Sequence, residues 1–320
     1  MATVLEETYP VELEAPDVSP FREGNTGIPW FTRLDSGRPG PHALVLALTH
    51  GNELCGAIAL KHLFDTGFRP ARGQVTLGFA NIAAYDRFDP KEPQNSRYVD
   101  EDFNRVWDRV TLDGPRHSIE LDRAREIRPL IDSVDYLLDI HSMQHATDPL
   151  MLAGTHAKGT ELARKVGVPR FIVRDGGHAA GRRLRDYAGF GDEHSAPAAL
   201  LVECGQHWEA ASASVAKETA LRFLDCLDLL EPAYKAREFS YAPPSAQRLI
   251  EVTEAVTIMT DQFRFERSFR GQEIIPEART LLGHDGSREI RTPYSDCVLI
   301  MPSRRLVRGQ TAVRLGRFID

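Results

Sequence analysis

Ala43-Leu44-Val45-Leu46-Ala47-Leu48-Thr49-His50-Gly51-Asn52-Glu53-Leu54 is the stretch on which the reading of the fold turns. Its first six residues are all apolar, the pattern of a strand buried on both faces. The residues that follow, Cys55-Gly56-Ala57-Ile58-Ala59-Leu60-Lys61-His62-Leu63-Phe64, read as a helix. Strand, turn and helix together open an α/β unit. Open α/β sheets bind ligands outside the carboxyl ends of their strands, where this turn lies. His50 and Glu53, three positions apart on it, are both zinc-ligand types. Gly51 is expected to supply the backbone freedom that lets them converge. Taken alone, His-x-x-Glu is a weak motif, and a turn pair bonded to its own backbone is the plain alternative.

The alternation continues downstream. Residues 74–80, 134–141, 149–154, 171–173 and 197–205 read as strands, and residues 28–34 as an edge strand ahead of the first buried one. Helical spacing marks 123–132, which Pro129 is expected to kink or end, 160–166, and 213–230. Residues 86–110 have no periodicity and read as a long functional loop, with Tyr98, Phe103 and Trp107 arguing for packing. After Glu231-Pro232 the composition changes, and 248–259, 262–269 and 297–301 are β-rich. The expected architecture is α/β: a mixed, mostly parallel sheet flanked by helices over residues 1–238, then a small β-rich domain over 239–320.

The chain of 320 residues, 42% hydrophobic and 27% charged, has the balance of a soluble globular protein. With 39 Lys and Arg against 46 Asp and Glu, its net charge of −7 argues against a nucleic-acid backbone as partner. Cys55, Cys204, Cys226 and Cys297 are scattered, with no Cys-x-x-Cys pair and no disulfide framework. The first 20 residues lack the basic and apolar segments of a signal peptide, and no apolar run is long enough to span a membrane. A reducing cytoplasm is the expected compartment. Nothing in the sequence sets the oligomeric state; a homo-oligomer is left open.

Three apolar strands thus end in chemistry: one in His50 and Glu53, one in His141, one in Glu203. A catalytic zinc takes three protein ligands and keeps one position open. His50, Glu53 and His141 supply three, which leaves Glu203 as a general base. Asp139, two residues before His141 on the same strand face, is placed to orient that imidazole. Arg97, Asn104 and Arg105 in the long loop suit carboxylate recognition or oxyanion stabilisation. Bland readings stand beside these: His141 as a buried histidine bonded to a carbonyl, Glu203 as a helix-capping acid, Arg97 and Arg105 as partners of Asp100 and Asp102. His145, His178 and His207 read as polar loop residues, Cys55 and Cys204 as small packing residues, and Arg182 to Arg185 as a solvated face.

The set His50-Gly51-Asn52-Glu53, Arg97-Tyr98-Val99-Asp100-Glu101-Asp102-Phe103-Asn104-Arg105, Asp139-Ile140-His141 and Val202-Glu203-Cys204-Gly205 resembles the succinylglutamate desuccinylase/aspartoacylase family, itself related to zinc carboxypeptidases. The resemblance implies one zinc ion on His50, Glu53 and His141, with Glu203 as base. It implies that Arg97 polarises the scissile carbonyl and that Asn104 and Arg105 hold the carboxylate of a small anionic N-acyl amino acid. Tyr294 is a possible counterpart of a tyrosine that some members bring from the tail domain. A zinc carboxypeptidase acting on short peptides and a non-catalytic anion-binding protein are the competing readings.

Overall fold

The computed structural model describes residues 9–177 and 180–319. Its strands are β1 (Phe31–Asp35), β2 (His42–Ala47), β3 (Gln74–Phe79), β4 (Tyr136–Met143), β5 (Leu150–Leu152), β6 (Phe171–Arg174), β7 (Ala198–Gln206), β8 (Arg248–Thr257), β9 (Phe263–Phe265), β10 (Glu273–Ile275), β11 (Leu281–Asp285), β12 (Arg288–Arg291), β13 (Cys297–Ile300) and β14 (Thr311–Phe318). The helices are α1 (Leu54–Asp65), α2 (Ile82–Tyr85), α3 (Arg109–Asp113), α4 (Ile119–Ile131), α5 (Ala157–Val166), α6 (Ala210–Cys226) and α7 (Pro232–Glu238).

One large sheet runs β1-β3-β2-β4-β7-β5-β6-β8-β14-β13-β10. The pairs β2–β3, β2–β4, β4–β7, β5–β6 and β6–β8 are parallel. The edge strand β1 is antiparallel to β3, and β5 is antiparallel to β7. The strand period of two explains why β2 carries no polar residue after His42. Ala43, Val45 and Ala47 face a core shared with α1, α5 and α6, while Leu44 and Leu46 face one shared with α4, Phe103 and Trp107. Beyond residue 239 the sheet continues without interruption, because β8 pairs with β6 and then carries β14, β13 and β10. Only β12-β11-β9 form a separate antiparallel sheet, which shares an apolar core of Ile258, Leu282, Leu299 and Val313 with the end of the large one.

Several boundaries differ from the sequence reading. β4 and β7 overrun His141 and Glu203, and they pair these two residues directly before a bulge between His141 and Met143. α4 begins earlier, where the Ser118 hydroxyl accepts from the backbone N–H of Leu121. Pro129 lies in the last turn of α4 without ending it, since buried Leu130 and Ile131 hold that turn on the core. α6 stops at Cys226, although Leu227 and Leu230 keep the helical spacing. Asp228, at φ +58°, turns the chain out of the helix, and Leu229 and Leu230 reach the core from the following loop.

Candidate active site

β2 hands the chain to the His50 turn through Leu48, whose φ of +60° is in the left-handed region. For a residue with a branched side chain this costs roughly 1–2 kcal/mol. Gly51 serves the turn differently from expectation. It is absent from the positive-φ residues, and a side chain there would strike the backbone of Ala84, Tyr85 and Ser96 within 2.5 Å. The glycine is needed for close approach, and its N–H donates to the Arg97 carbonyl at 3.1 Å. This contact brings the long loop against the turn.

His50, Glu53 and His141 meet. Candidate ligand atoms of all three lie within 4.8 Å of one another, and all three side chains are buried. His50 Nδ1 is 2.8 Å from Glu53 Oε1, and His141 Nδ1 is 2.9 Å from Glu53 Oε2. Each outer ring nitrogen faces an acid: His50 Nε2 is 2.9 Å from Asp102 Oδ1, and His141 Nε2 is 2.8 Å from Asp139 Oδ2. Burial alone would raise the Glu53 carboxyl, but His50 and His141 outweigh it and hold it well below its ordinary value. Burial would likewise lower His141, yet Asp139 and Glu53 drive it well above. Two imidazoles converging on one carboxylate, each backed by an acid, form a donor set suited to a divalent transition metal such as zinc.

Glu203 stands beside the trio through its register with His141. It is on a strand, so the helix-capping alternative falls away. Its Oε2 is buried with no hydrogen-bond partner among the described residues. Burial, with Glu53 and Asp139 adding and His141 and Arg97 opposing, pushes its carboxyl up to about 8. A carboxyl left unpaired in such a place is a recognised mark of a functional group.

The long loop is held by a residue that the sequence reading did not single out. The buried Glu120 carboxylate accepts from Asn81 Nδ2 and from the backbone N–H groups of Val99, Asp100 and Glu101 at 2.6–3.2 Å. Asp102, also passed over except as an arginine partner, accepts from His50, from Arg97 Nη2 at 3.1 Å and from the Asn104 backbone. Arg97 reaches Glu53 Oε1 at 3.3 Å as well. Asn104 is buried, and its Oδ1 accepts from Leu184 N at 2.8 Å. Arg105 donates to the Asn104 carbonyl and has no carboxylate within ion-pair distance among the described residues. Burial lowers Arg105 to about 10, with Arg97, Arg183 and Arg314 adding against Asp102.

Three sequence expectations are corrected. Arg182 is exposed, but Arg183 and Arg185 are buried, so this run is not a solvated face. Arg183 pairs with Asp175 at 2.8 Å and Asp186 at 2.6 Å, and Arg185 donates to the carbonyls of Ala153 and Ala199. Tyr294 does not line the cavity. Its hydroxyl is 2.6 Å from Thr253 Oγ1 and its ring packs on the tail core. His207 lies in the turn after β7 but is not a solvated loop residue: it is fully buried, and burial pushes it down to about 3. His178 lies outside the described residues, and His145 is half-buried at the cavity wall. Cys55 and Cys204 are packed in the core, as expected.

The trio, Glu203, Arg97, Asn104, Arg105 and His207 line one cavity of about 940 Å³. The tail closes part of it with the segments around Phe269 and Arg305, and with Arg314 of β14. The molecule is therefore a mixed α/β protein with a candidate metal centre on the carboxyl edge of its parallel strands. Residues 39–229 match the family model for the succinylglutamate desuccinylase/aspartoacylase catalytic domain. The chain belongs to that family. No curated protein matches it in sequence. Among solved structures it resembles succinylglutamate desuccinylase from Vibrio cholerae, at TM-score 0.67 and 15% identity over 91% of this chain and 86% of that one. It also resembles a succinylglutamate desuccinylase/aspartoacylase from Rhodobacter sphaeroides (TM-score 0.64, 19% identity, 92% and 89% covered) and murine aminoacylase 3 (0.60, 17%, 88% and 96%). No helix among the described residues is long and apolar enough to cross a membrane.

Proposed function

We propose that the chain is a zinc-dependent amidohydrolase that removes the acyl group from a small anionic N-acyl amino acid. The observation that carries this is the buried His50–Glu53–His141 trio with the unpartnered Glu203 carboxylate beside it in one cavity. His50, Glu53 and His141 would hold the zinc ion, with Asp102 and Asp139 fixing the two rings. Bound there, zinc would supply Lewis-acid polarisation of the scissile carbonyl and ease deprotonation of water.

The remaining work falls to this chain's own side chains. Glu203 takes the proton from the attacking water and delivers it to the leaving nitrogen. Arg97 donates to the carbonyl oxygen as negative charge grows on it; Asp102 holds its guanidinium for this. Asn104 offers its amide N–H groups and Arg105 its guanidinium to the substrate carboxylate. The family membership supports hydrolysis of an acyl amino acid; the residue roles are our assignment.

The test is turnover of a panel of N-acetyl and N-succinyl amino acids and short peptides, with metal content measured in parallel. Glu203→Gln is expected to keep its metal and lose activity by more than about 100-fold. Retained turnover would falsify Glu203 as the base. A preference for peptides would replace the deacylase by a carboxypeptidase, and tight binding without hydrolysis would leave an anion-binding protein.

A further inference from the structure

Part of the cavity wall comes from outside the catalytic domain of residues 39–229. Ahead of β1 the chain forms an arm in which Tyr9, Val11, Leu13 and Ala15 are half-buried while Pro10, Glu12 and Glu14 are exposed. This is the alternation of an extended segment with one face covered. Leu13 and Ala15 pack on the core shared with α1 and α6. The Glu12 N–H donates to the Trp208 carbonyl at 3.0 Å, and its carboxylate accepts from the Ala210 N–H at 2.8 Å. The arm, so tied down, brings the half-buried Tyr9 to the cavity. There the Tyr9 hydroxyl accepts from the Ala146 N–H at 3.3 Å, and its ring centroid lies 6.1 Å from that of His145. The tail meets the same turn from its other end. A side chain on Gly271 would strike Thr147 Cγ2 at 2.3 Å, and Gln272 Nε2 donates to the Asp148 carbonyl at 3.0 Å. Phe269, two residues before Gly271, is half-buried and lines the cavity too. Three rings, from the arm, the turn and the tail, thus stand around residues 145–147.

The place of these rings says which part of a substrate they meet. Asn104 and Arg105 belong to the loop that packs with Phe103 and Trp107 on the α4 side of the sheet. The arm that carries Tyr9 packs on the opposite face, with α1 and α6. A substrate held by its carboxylate at Arg105, with its amide at the trio, therefore extends its acyl group toward Tyr9 and His145. Aromatic rings attract one another edge-on or offset beyond what apolar area alone gives. Resting on the deacylase reading above, we propose that Tyr9, His145 and Phe269 form an aromatic wall that selects acyl groups ending in an aryl ring. A saturated ring of the same size covers as much apolar surface there but lacks the ring-to-ring attraction. Tyr9 and Phe269 are on this view specificity-determining residues supplied by the arm and the tail.

The test compares N-phenylacetyl with N-cyclohexylacetyl derivatives of one amino acid, in which a methylene insulates the scissile carbonyl from the ring. Phenylacetate and cyclohexylacetate are compared as ligands in calorimetry. The proteins are the wild type, Tyr9→Leu, Tyr9→Phe and Phe269→Leu, with metal content and melting temperature measured for each. The wild type should favour the phenyl member of each pair roughly 2- to 10-fold in kcat/KM, chiefly through KM. Tyr9→Leu and Phe269→Leu should each shrink that ratio, and Tyr9→Phe, which keeps the ring and loses the bond to Ala146, should retain it. No preference for the phenyl member in the wild type, or a preference that both leucine variants keep, would overturn the proposal. Phenylacetate binding that depends on Tyr9, without hydrolysis of any amide, would sink the deacylase reading alone. Hydrolysis of acyl amino acids with no regard for the aryl ring would sink this inference alone.

Discussion

Replacing Asp175 by Asn tests how the last strand is tied to the catalytic sheet. Asp175 follows β6, is 2% exposed, and its Oδ2 sits 2.8 Å from Arg183 Nη1 and 3.0 Å from Arg314 Nε. Both guanidinium groups are themselves buried. Asparagine keeps the shape and an acceptor for the Gly177 N–H but removes the charge from between them. Removing one partner of a buried pair costs about 3–5 kcal/mol, because the other charge remains in a low-dielectric place. Arg183 retains Asp186, so the expected loss is at the lower end, about 3 kcal/mol. At about 2 °C per kcal/mol for a chain of this size, the melting temperature should fall by about 6 °C. The exposed pair Lys61–Asp65 is the control, and Asp65→Asn should cost only about 0.3–0.5 kcal/mol. Acidity supplies a second check. Burial would raise the Asp175 carboxyl, but Arg314 and Arg183 outweigh it and hold it below its ordinary value. Its contribution is therefore full above the unfolded value near pH 4 and lost as pH falls through the lower folded value. The gap between wild type and Asp175→Asn should be constant at neutral pH and close in acid. A deficit at pH 7 no larger than that of Asp65→Asn would refute the reasoning.

Three other perturbations have defined outcomes. Glu120→Gln puts an amide where a carboxylate accepts four donors. It should destabilise the fold by about 2–3 kcal/mol and lower kcat/KM more than it changes metal content, as read by steady-state kinetics beside urea unfolding. Lys158 Nζ donates to the carbonyls of Gly189, Asp192, Ser195 and Pro197 at 2.6–2.8 Å. Lys158→Met should therefore free the 189–197 segment, seen as faster amide exchange confined to it, at a cost of about 2 kcal/mol or more. Chelation should lower the melting temperature of the wild type, by the equivalent of about 4 kcal/mol where zinc had stood a thousandfold above its dissociation constant. His141→Ala should melt at the same temperature with or without chelator.

What was legible in the sequence is what local periodicity and chain position decide. β2 could be read from its apolar run, since a strand covered on both faces has nowhere to put a polar residue. His50, Glu53, His141 and Glu203 could be gathered because each lies near the carboxyl end of such a strand. The strand ends themselves were misplaced, because the overrun to Met143 and Gln206 rests on hydrogen bonds between β4 and β7 that neither segment announces. The continuation of the sheet into the tail escaped for the same reason. Pairing of β8 with β6 leaves no local mark, whereas the change of composition near residue 232 leaves a strong one.

The charged residues make the sharper case. Arg183 and Arg185 look solvated in a Gly- and Arg-rich run, and nothing within that run shows that Ala153, just after β5, and Ala199 of β7 offer carbonyl oxygens to one guanidinium while Asp175 neutralises the other. Glu120 looks like an ordinary acid in the first turn of a helix, a favourable place on grounds of the helix dipole alone. Its use as the acceptor that shapes the Arg97–Arg105 loop depends on that loop returning to it. Exposure of a charged side chain is thus settled by partners elsewhere in the chain, and composition is silent on it. A chain of net charge −7 can therefore line one cavity with Arg97 and Arg105 from one loop, Arg183 from another and Arg314 from its last strand. The overall charge argues against general binding to a nucleic-acid backbone but carries no information about the charges that line the cavity.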